Sequence, residues 1–182
     1  MRRCTVLRDE RAVAGPRPAP APPGGGMRVP VADIVLAAQS GAVRGALARV
    51  RHALARAGVT EEACGRCEIV LAETLNNIVE HAYCDTAAGD IRLLVELSPS
   101  HVLATLTDRG RALPGLDLPE GRRPDLGQPP DALPEGGFGW FMIRALTDDL
   151  RYTRRNGQNR LALRIPAAPD RPGRGANAAN LP

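Results

Sequence analysis

The sequence predicts an α+β fold, a two-layer sandwich in which helices cover one face of a mixed, mostly antiparallel sheet. Two segments in the first half carry apolar residues at helical spacing, and two segments near the middle alternate apolar and polar residues as strands do. Near the end, Asn156–Gly157 separates two further strand-like segments and strongly indicates a β-hairpin. With 182 residues, 43% of them hydrophobic, the chain can bury one sizeable core.

The first half of the chain predicts one strand followed by two helices. Residues 33–38 (DIVLAA) are typical of a short strand. Residues 41–58 predict a helix, because four apolar residues recur at helical spacing and Gly58 is placed to end it. These apolar residues are Val43, Leu47, Val50 and Leu54. Thr60 can cap the start of a second helix, which we expect to run to about Tyr83.

The second half predicts three strand segments, one long loop and one helix. Residues 90–99 and 101–110 indicate two strands joined by a tight turn at Pro99–Ser100. The stretch 109–136 is rich in Pro, Gly and charge, and a loop of this length in a compact domain is usually functional or disordered. Residues 137–150 then predict a helix with a glycine-rich start, followed by the Asn–Gly hairpin.

Both ends of the chain differ from the middle in composition. Residues 14–26 are nearly all Ala, Pro and Gly and cannot bury enough apolar area to become ordered, so we expect a disordered arm over residues 1–29. Residues 167–182 are expected to form a second disordered tail. One domain, residues 30–166, remains between them.

The net charge of +4 is concentrated at the ends, where six arginines face two acidic residues in residues 1–29 alone. The domain between the ends is close to neutral, so nucleic-acid binding is not indicated. No run of about 18 uncharged apolar residues exists, and the start lacks the apolar stretch of a secretory signal. We therefore expect no membrane span and a cytoplasmic protein.

Cys64 and Cys67 form a CxxC pair, and His81 with Cys84 forms an HxxC, a combination that resembles a zinc site. If residues 61–82 are one helix, however, Cys67 and His81 stand about 21 Å apart, whereas zinc ligands all lie within about 2.3 Å of the ion. A redox CxxC is not favoured either, because no thioredoxin-like strand precedes it. We expect buried or half-buried thiols in a reducing compartment.

Three short motifs could carry chemistry. Glu73 and Asn77 lie four residues apart and thus on one helix face, Asp108 and Gly110 end a strand, and GGFG at 136–139 opens the last helix. The structural alternatives are a solvated helix edge, a turn and a flexible joint. The glycine-rich start could instead cradle a phosphate through free backbone N–H groups, but it is not a P-loop, because GxxxxGK[ST] is absent.

In their order, these motifs resemble the nucleotide-binding domain shared by sensor histidine kinases, Hsp90, gyrase B and MutL. The chain is most similar to the branch of anti-sigma factors and serine-protein kinases. ETLNNIVEHAY (73–83) resembles the first box of that branch, DRG (108–110) the second, and LPEGGFGWFMIRALTDDLRY (133–152) the third. NGQNRLALRI (156–165) resembles its final hairpin. The resemblance covers roughly residues 29–166.

This resemblance implies a site for ATP with Mg²⁺. Asn77 would bind Mg²⁺ through its amide oxygen, and Glu73 would be the general base for a hydroxyl that attacks the γ-phosphate. Asp108 would accept a hydrogen bond from the adenine amino group, and Gly110 would let the chain pass close to the base. The third box would contribute Gly137, Phe138 and Gly139 to cofactor binding. Residues 111–136 would form a lid over ATP.

Two positions depart from the pattern of the branch. Glu135 stands about where some members carry an Arg that faces the γ-phosphate, and Asn159 or Arg160 replaces a Thr often found near adenine. An arginine near or within the lid could substitute: Arg109, Arg111, Arg122 or Arg123. His81 could touch the nucleotide or cap the helix end, and we favour the structural role. His52 is not expected to accept a phosphoryl group, because the sequence lacks the two-helix dimerisation module of histidine kinases. We expect it to be a surface residue of the first helix.

Three functions remain open at this point. We favour an anti-sigma regulatory factor that phosphorylates a Ser or Thr of an anti-anti-sigma partner with a STAS domain, and thereby controls release of a sigma factor. The alternatives are an ATP-binding partner-switching protein that transfers no phosphate and an interaction domain that binds no nucleotide. Members of the branch commonly form homodimers, so a homodimer is also possible. We expect neither nucleic acid nor membrane as a partner.

Overall fold

A computed structural model describes residues 27–83, 89–121 and 138–167 of the chain. These residues form five strands, three α-helices, a π-helical turn and a short 3-10 turn. In chain order the elements are β1 (Val29–Ala37), α1 (Ser40–Arg56), α2 (Glu61–Asn77), the π-helical turn (Ile78–Ala82), β2 (Asp90–Leu97), β3 (His101–Asp108), the 3-10 turn (Pro114–Leu116), α3 (Gly139–Ala145), β4 (Asp149–Arg155) and β5 (Gln158–Pro166).

The strands form one sheet in the order β1-β2-β3-β5-β4, and every neighbouring pair is antiparallel. The predicted α+β architecture is confirmed, but the expectation of a mixed sheet is wrong for the described strands. Tight turns join β2 to β3 and β4 to β5, and such turns can only give antiparallel neighbours. The connection through α3 makes β4 parallel to β3, but β5 lies between them.

One face of the sheet packs against the helices to form the core. Alternate residues of the central strands point to this face, as the two-residue period of a strand requires. The buried sheet residues are Ile91, Leu93, Val95, Val102, Ala104, Leu106, Leu161, Leu163 and Ile165. The helices contribute Val43, Val50, Leu54, Val70, Leu71, Leu75 and Ile143. The core is therefore mainly aliphatic.

The predicted boundaries of the first two helices are confirmed to within a few residues. Ala57 caps α1, and Gly58 follows with a φ of +81°, a left-handed conformation that favours glycine. The side chain of Thr60 accepts a hydrogen bond from the backbone N–H of Ala63 at 3.3 Å and so caps α2 as predicted. The helical segment extends to Ala82, close to the predicted end at Tyr83, but α2 gives way to the π-helical turn at Ile78.

The predicted helix at 137–150 is shorter in the structure, where α3 ends at Ala145. Asp149 and Leu150 belong to β4 and pair with β5, so sheet hydrogen bonding overrides the helical pattern of this segment. The Asn156–Gly157 hairpin is confirmed, with φ angles of +50° and +73° that fit a type I′ turn. Strand β1 begins four residues earlier than the predicted strand and contains an irregularity between Pro30 and Ala32.

Cys64 and Cys67 lie on the buried face of α2 as free thiols, 1% and 0% exposed. Burial raises the pKa of the Cys67 thiol to about 12, so it stays protonated and unreactive at neutral pH. Among the described residues, no three His, Cys, Asp or Glu side chains are grouped so that they could hold a metal ion. None of the described helices is long and apolar enough to cross a membrane.

Candidate functional site

Two predicted site residues lie at the C-terminal end of α2. Glu73 and Asn77 are one helical turn apart and both are half-buried. The first residue of α3, Gly139, packs directly against them. A Cβ atom added to Gly139 would stand 2.6 Å from Glu73 Oε2 and 3.6 Å from Asn77 Nδ2, so a side chain there would compete for the space that the carboxylate occupies. These three residues are called the Glu73 region below.

The amide nitrogen of Asn77 is buried and has no hydrogen-bond partner among the described residues. Buried polar groups are nearly always paired, and an unpaired one costs free energy, so an exception indicates a ligand, a water molecule or an ion as the missing partner. Asn77 therefore presents an amide available to a ligand.

The chain changes helical geometry directly after Asn77. Ile78–Ala82 forms a single π-helical turn, and such turns occur frequently at functional sites. The α-helical period of α2 therefore does not continue as far as His81. His81 lies exposed in the π-helical turn. His52 is exposed on α1, as predicted.

Asp108 ends β3 and is only 5% exposed. Its Oδ1 atom accepts hydrogen bonds from the backbone N–H of Gly110 and from Nδ2 of Asn159, both at 2.8 Å. Burial raises the pKa of the Asp108 carboxyl, while these two hydrogen bonds and the nearby Arg154 guanidinium act in the opposite direction. A buried carboxylate with such partners is suited to accept a further hydrogen bond from a ligand.

Gly110 is required by a close approach to the end of the helical segment. A Cβ atom there would lie 2.7 Å from both the Cβ and the carbonyl oxygen of Ala82. The next residue, Arg111, donates its backbone N–H to the same carbonyl at 2.9 Å. From the sequence, Gly110 was expected to let the chain pass close to a base. The close contact that the structure shows at Gly110 is with Ala82. This contact ties the end of β3 to the π-helical turn.

Asn159, on β5, connects Asp108 to residues that the sequence did not single out. Its Oδ1 atom accepts a hydrogen bond from the Tyr152 hydroxyl at 2.7 Å and another from the Arg154 guanidinium. Arg154 also donates to the carbonyl of Gly110 at 2.9 Å. Asp108, Gly110, Tyr152, Arg154 and Asn159 are called the Asp108 region below.

The described part of the predicted lid, residues 111–121, is attached to the sheet and to α3. The backbone N–H of Leu113 donates to the Tyr152 hydroxyl at 3.1 Å, and the Arg144 guanidinium donates to the carbonyls of Leu118 and Pro119. Gly121 has a φ of +71° and lies so close to α3 that a Cβ would stand 2.6 Å from the backbone nitrogen of Phe141. The sequence analysis did not predict these contacts, because they join residues that are far apart in the chain.

The structure thus brings most of the predicted site residues into two clusters, of which the Asp108 region contacts Ala82 in the π-helical turn that follows Asn77. Phe138 immediately precedes α3 and is half-buried beside the Glu73 region. Arg109 is exposed at the end of β3, and its backbone N–H donates to the Tyr83 hydroxyl at 3.1 Å. Six residues that were considered in the sequence analysis lie outside the described residues: Cys84, Arg122, Arg123, Glu135, Gly136 and Gly137.

Comparison with known proteins places this geometry in a family. The family of the histidine kinase-like ATPase domain matches residues 36–165, which include every described residue of both clusters. A serine-protein kinase RsbW from Oceanobacillus iheyensis is 32% identical over 107 residues, which cover 56% of this chain and 65% of that protein. The serine/threonine-protein kinase BtrW from Bordetella bronchiseptica is 33% identical over 98 residues, covering 54% and 67% respectively.

A solved structure supports the same fold. The crystal structure of the RsbU and RsbW domains of a Mycobacterium tuberculosis protein aligns with a TM-score of 0.53 and 23% identity. The alignment covers 77% of this chain and 33% of that chain. The chain spans just under two thirds of the Oceanobacillus protein and one third of the mycobacterial one.

Proposed function

The chain belongs to the histidine kinase-like ATPase domain family, and we propose that it binds ATP with Mg²⁺ and phosphorylates a Ser or Thr of a protein partner. The observation that carries this proposal is the packing of Gly139 against the Glu73 carboxylate and the unpartnered Asn77 amide. The Glu73 carboxylate, an amide nitrogen without a partner among the described residues and a glycine backbone lie next to one another. That combination suits phosphoryl transfer, in which the protein mainly positions the reactants and stabilises charge.

The residues of the Glu73 region fit a metal-bound triphosphate. An amide oxygen is a ligand that Mg²⁺ prefers, and Asn77 carries such an oxygen beside an amide nitrogen that has no hydrogen-bond partner among the described residues. Gly139 leaves room that any Cβ would fill. When bound, Mg²⁺ would neutralise part of the phosphate charge. The chain's own residues then need only to position the reactants.

In the proposed reaction, Glu73 acts as the general base. Its carboxylate accepts the proton of the partner's hydroxyl, whose oxygen forms a bond to the γ-phosphorus while the bond from that phosphorus to the β,γ-bridging oxygen breaks. The products are a phosphorylated partner and ADP. Glu73 is half-buried and one turn from Asn77, so proton acceptance and metal binding occur on one helix face.

In the same proposal, Asp108 selects the base. An ionised carboxylate accepts a hydrogen bond from the 6-amino group of adenine, whereas the 6-oxo group of guanine would place an acceptor against an acceptor. Asp108 ends β3 two residues before Gly110, which packs against Ala82 in the π-helical turn, and the predicted lid begins at the next residue, Arg111. We assign cofactor binding to Asp108, Gly110, Gly137, Phe138 and Gly139.

We propose that the chain is an anti-sigma regulatory factor, as its resemblance to the branch of anti-sigma factors and serine-protein kinases implies. Two relatives that are named serine-protein or serine/threonine-protein kinases support the phosphotransfer part of this proposal. Its phosphate acceptor would be a STAS-domain anti-anti-sigma protein, and phosphorylation would leave the chain free to bind a sigma factor in the cytoplasm. A homodimer belongs to this proposal, whereas nucleic acid and membrane do not.

The test uses labelled ATP, a candidate STAS partner and two variants. Glu73→Gln should bind ATP within about threefold of wild type but lower the transfer rate by roughly 10²–10⁴-fold, because it removes only the base. Asp108→Ala should lose ATP binding itself. Glu80→Gln, an exposed carboxylate of the π-helical turn, is the matched control and should transfer normally. Transfer by Glu73→Gln at the wild-type rate would refute the assigned role.

A further inference from the structure

Asn159 lies directly opposite Asp108 in the β3–β5 pair and is 4% exposed. Its Nδ2 atom donates to Asp108 Oδ1 at 2.8 Å, to the Arg111 carbonyl at 3.0 Å and to the Gly110 carbonyl at 3.3 Å. The Asn159 amide group therefore holds the Asp108 carboxylate and the backbone of Gly110 and Arg111, the two residues that follow Arg109. Those residues are also the root of the predicted lid.

The other end of the Asn159 amide is equally constrained. Arg154 carries only hydrogen-bond donors, and the Tyr152 hydroxyl, which accepts from the Leu113 N–H, donates its own proton towards Asn159. The atom that faces them must be the amide oxygen. The opposite end faces a carboxylate and two carbonyls, all acceptors, and must be the amide nitrogen.

Few other side chains could satisfy both ends of this position. Aspartate would bring a second carboxylate against Asp108 and two carbonyls in a buried place. Leucine has a similar size but would leave the Tyr152 hydroxyl, the Arg154 guanidinium and the Asp108 carboxylate with fewer partners. The position therefore selects an uncharged side chain with a donor at one end and an acceptor at the other.

The consequence for Asp108 is a fixed carboxylate. Both donors from the described residues, the Gly110 N–H and the Asn159 amide, bind Oδ1. The plane of the group is thereby set, and Oδ2 is left to face a ligand. Burial raises the pKa of Asp108, and the hydrogen bonds from Asn159 and Gly110 and the Arg154 charge oppose that effect. These three contacts favour the ionised form of the carboxyl, which accepts hydrogen bonds.

We propose that Asn159 is a specificity-determining positioning residue, which holds Asp108 as an oriented acceptor so that the site takes a 6-aminopurine nucleotide and rejects a 6-oxopurine one. This inference rests on the proposed function, because it assigns the selection of the base at the same site. Without Asn159, the Asp108 carboxylate can rotate or become protonated. A protonated carboxyl group can donate to the 6-oxo group of guanine, so the preference for adenine falls.

The test is titration of the full chain with Mg·ATP and with Mg·GTP. In Asn159→Leu we expect ATP affinity to fall about tenfold while GTP affinity changes less than about threefold. The decisive readout is the ratio of the dissociation constant for Mg·GTP to that for Mg·ATP, which falls when the preference for ATP falls. Partial unfolding would weaken both nucleotides by the same factor and leave that ratio unchanged, so a purely structural role cannot produce the expected result.

Two further variants complete the experiment. Gln158→Leu changes the exposed neighbour on the same strand and should keep the wild-type ratio. Tyr152→Phe removes one donor to Asn159 and the acceptor of the Leu113 N–H, so it should lower the ratio about threefold even if Asn159→Leu fails to fold.

The outcomes separate this inference from the proposed function. A wild type that prefers ATP, with variants that keep that preference or lose both nucleotides equally, overturns the role of Asn159 alone. A wild type that binds neither nucleotide overturns the proposed function and the inference together. A lower ratio in Asn159→Leu or Tyr152→Phe, with Gln158→Leu unchanged, supports both.

Discussion

The Asp108 region, which contacts Ala82, and the Glu73 region, which lies at the end of α2, differ in how their polar groups are satisfied. In the Asp108 region the polar side chains hydrogen-bond one another, and Asp108 and Asn159 are 5% and 4% exposed. In the Glu73 region the Asn77 amide nitrogen is buried without a partner among the described residues. The first cluster is complete by itself, whereas the second is not.

This difference teaches how one domain can combine stability with ligand binding. Hydrogen bonds in the Asp108 region join β3, β4, β5 and the lid root, so this cluster also contributes to the fold. An unpaired buried amide contributes nothing to the fold and costs free energy until a ligand binds. We infer that the base would meet a preformed surface, and that the phosphates would complete the other cluster.

The largest effect is expected from replacing each asparagine by leucine. Asn159→Leu should lower the free energy of unfolding by roughly 3 kcal/mol, because it leaves several buried groups without partners. Asn77→Leu should change it by less than about 1 kcal/mol, or raise it, since the amide nitrogen it removes has no hydrogen-bond partner among the described residues. Urea denaturation without nucleotide measures both values. Equal losses in the two variants would contradict the contrast between the regions.

A smaller effect is expected from adding one methyl group at each glycine. In Gly110→Ala the new Cβ meets the Ala82 backbone, which cannot move aside, so the free energy of unfolding should fall by roughly 1–3 kcal/mol. In Gly139→Ala it meets the end of the flexible Glu73 side chain, so stability should change by less than about 1 kcal/mol, while ATP affinity falls about tenfold.

The control for both glycine variants is Gly45→Ala in α1, where no atom lies within 4 Å of the added Cβ. It should raise the free energy of unfolding by about 0.5–1 kcal/mol through helix propensity alone. Thermal melts with and without Mg·ATP report stability and binding together. If Gly139→Ala destabilised the free protein as much as Gly110→Ala, the Glu73 region would be structural.

The smallest effect concerns the core beneath both regions and depends on pH. The pKa of Cys67 rises from an ordinary value of 9.0 to about 12 on burial, so the native state keeps this proton longer than the unfolded state. The stability that results is complete below about pH 9 and is lost as the pH rises towards 12, at about 1.4 kcal/mol per pH unit.

Comparison of wild type with Cys67→Ala isolates this contribution. Between pH 8 and pH 10 the wild type should lose about 1 kcal/mol more than the variant, when both are unfolded in urea. Parallel pH profiles for the two proteins would show that the thiol does not titrate differently in the folded state. The Cys67→Ala substitution should leave the Glu73 and Asp108 regions unchanged, and ATP titration of the variant at pH 8 can verify this.

The parts of the fold that local chemistry determines were predictable from the sequence. Thr60 caps α2 because a hydroxyl can reach the first free N–H groups, and Asn156–Gly157 turns because both residues tolerate a positive φ. Glu73 and Asn77 were identified by their spacing, and their position on one turn of α2 agrees with it. Each of these features depends on a few consecutive residues.

The features that were missed depend on distant contacts. The helix expected to reach Leu150 ends at Ala145, because pairing of β4 with β5 decides this segment. Likewise, Asn159 is 51 residues from Asp108 in sequence, and only the register of β3 and β5 brings them together. From the sequence, Asn159 was noted only as one candidate for the position of a missing Thr, without a role.

Titration calorimetry of the full chain with Mg·ATP tests the central claim most directly, with Asp108→Ala and Asn77→Ala alongside. The account predicts one site per chain, a large loss of affinity in Asp108→Ala, and in Asn77→Ala a loss that is larger in the presence of Mg²⁺ than in its absence. Absence of binding to the wild type, or equal binding to all three proteins, would contradict it.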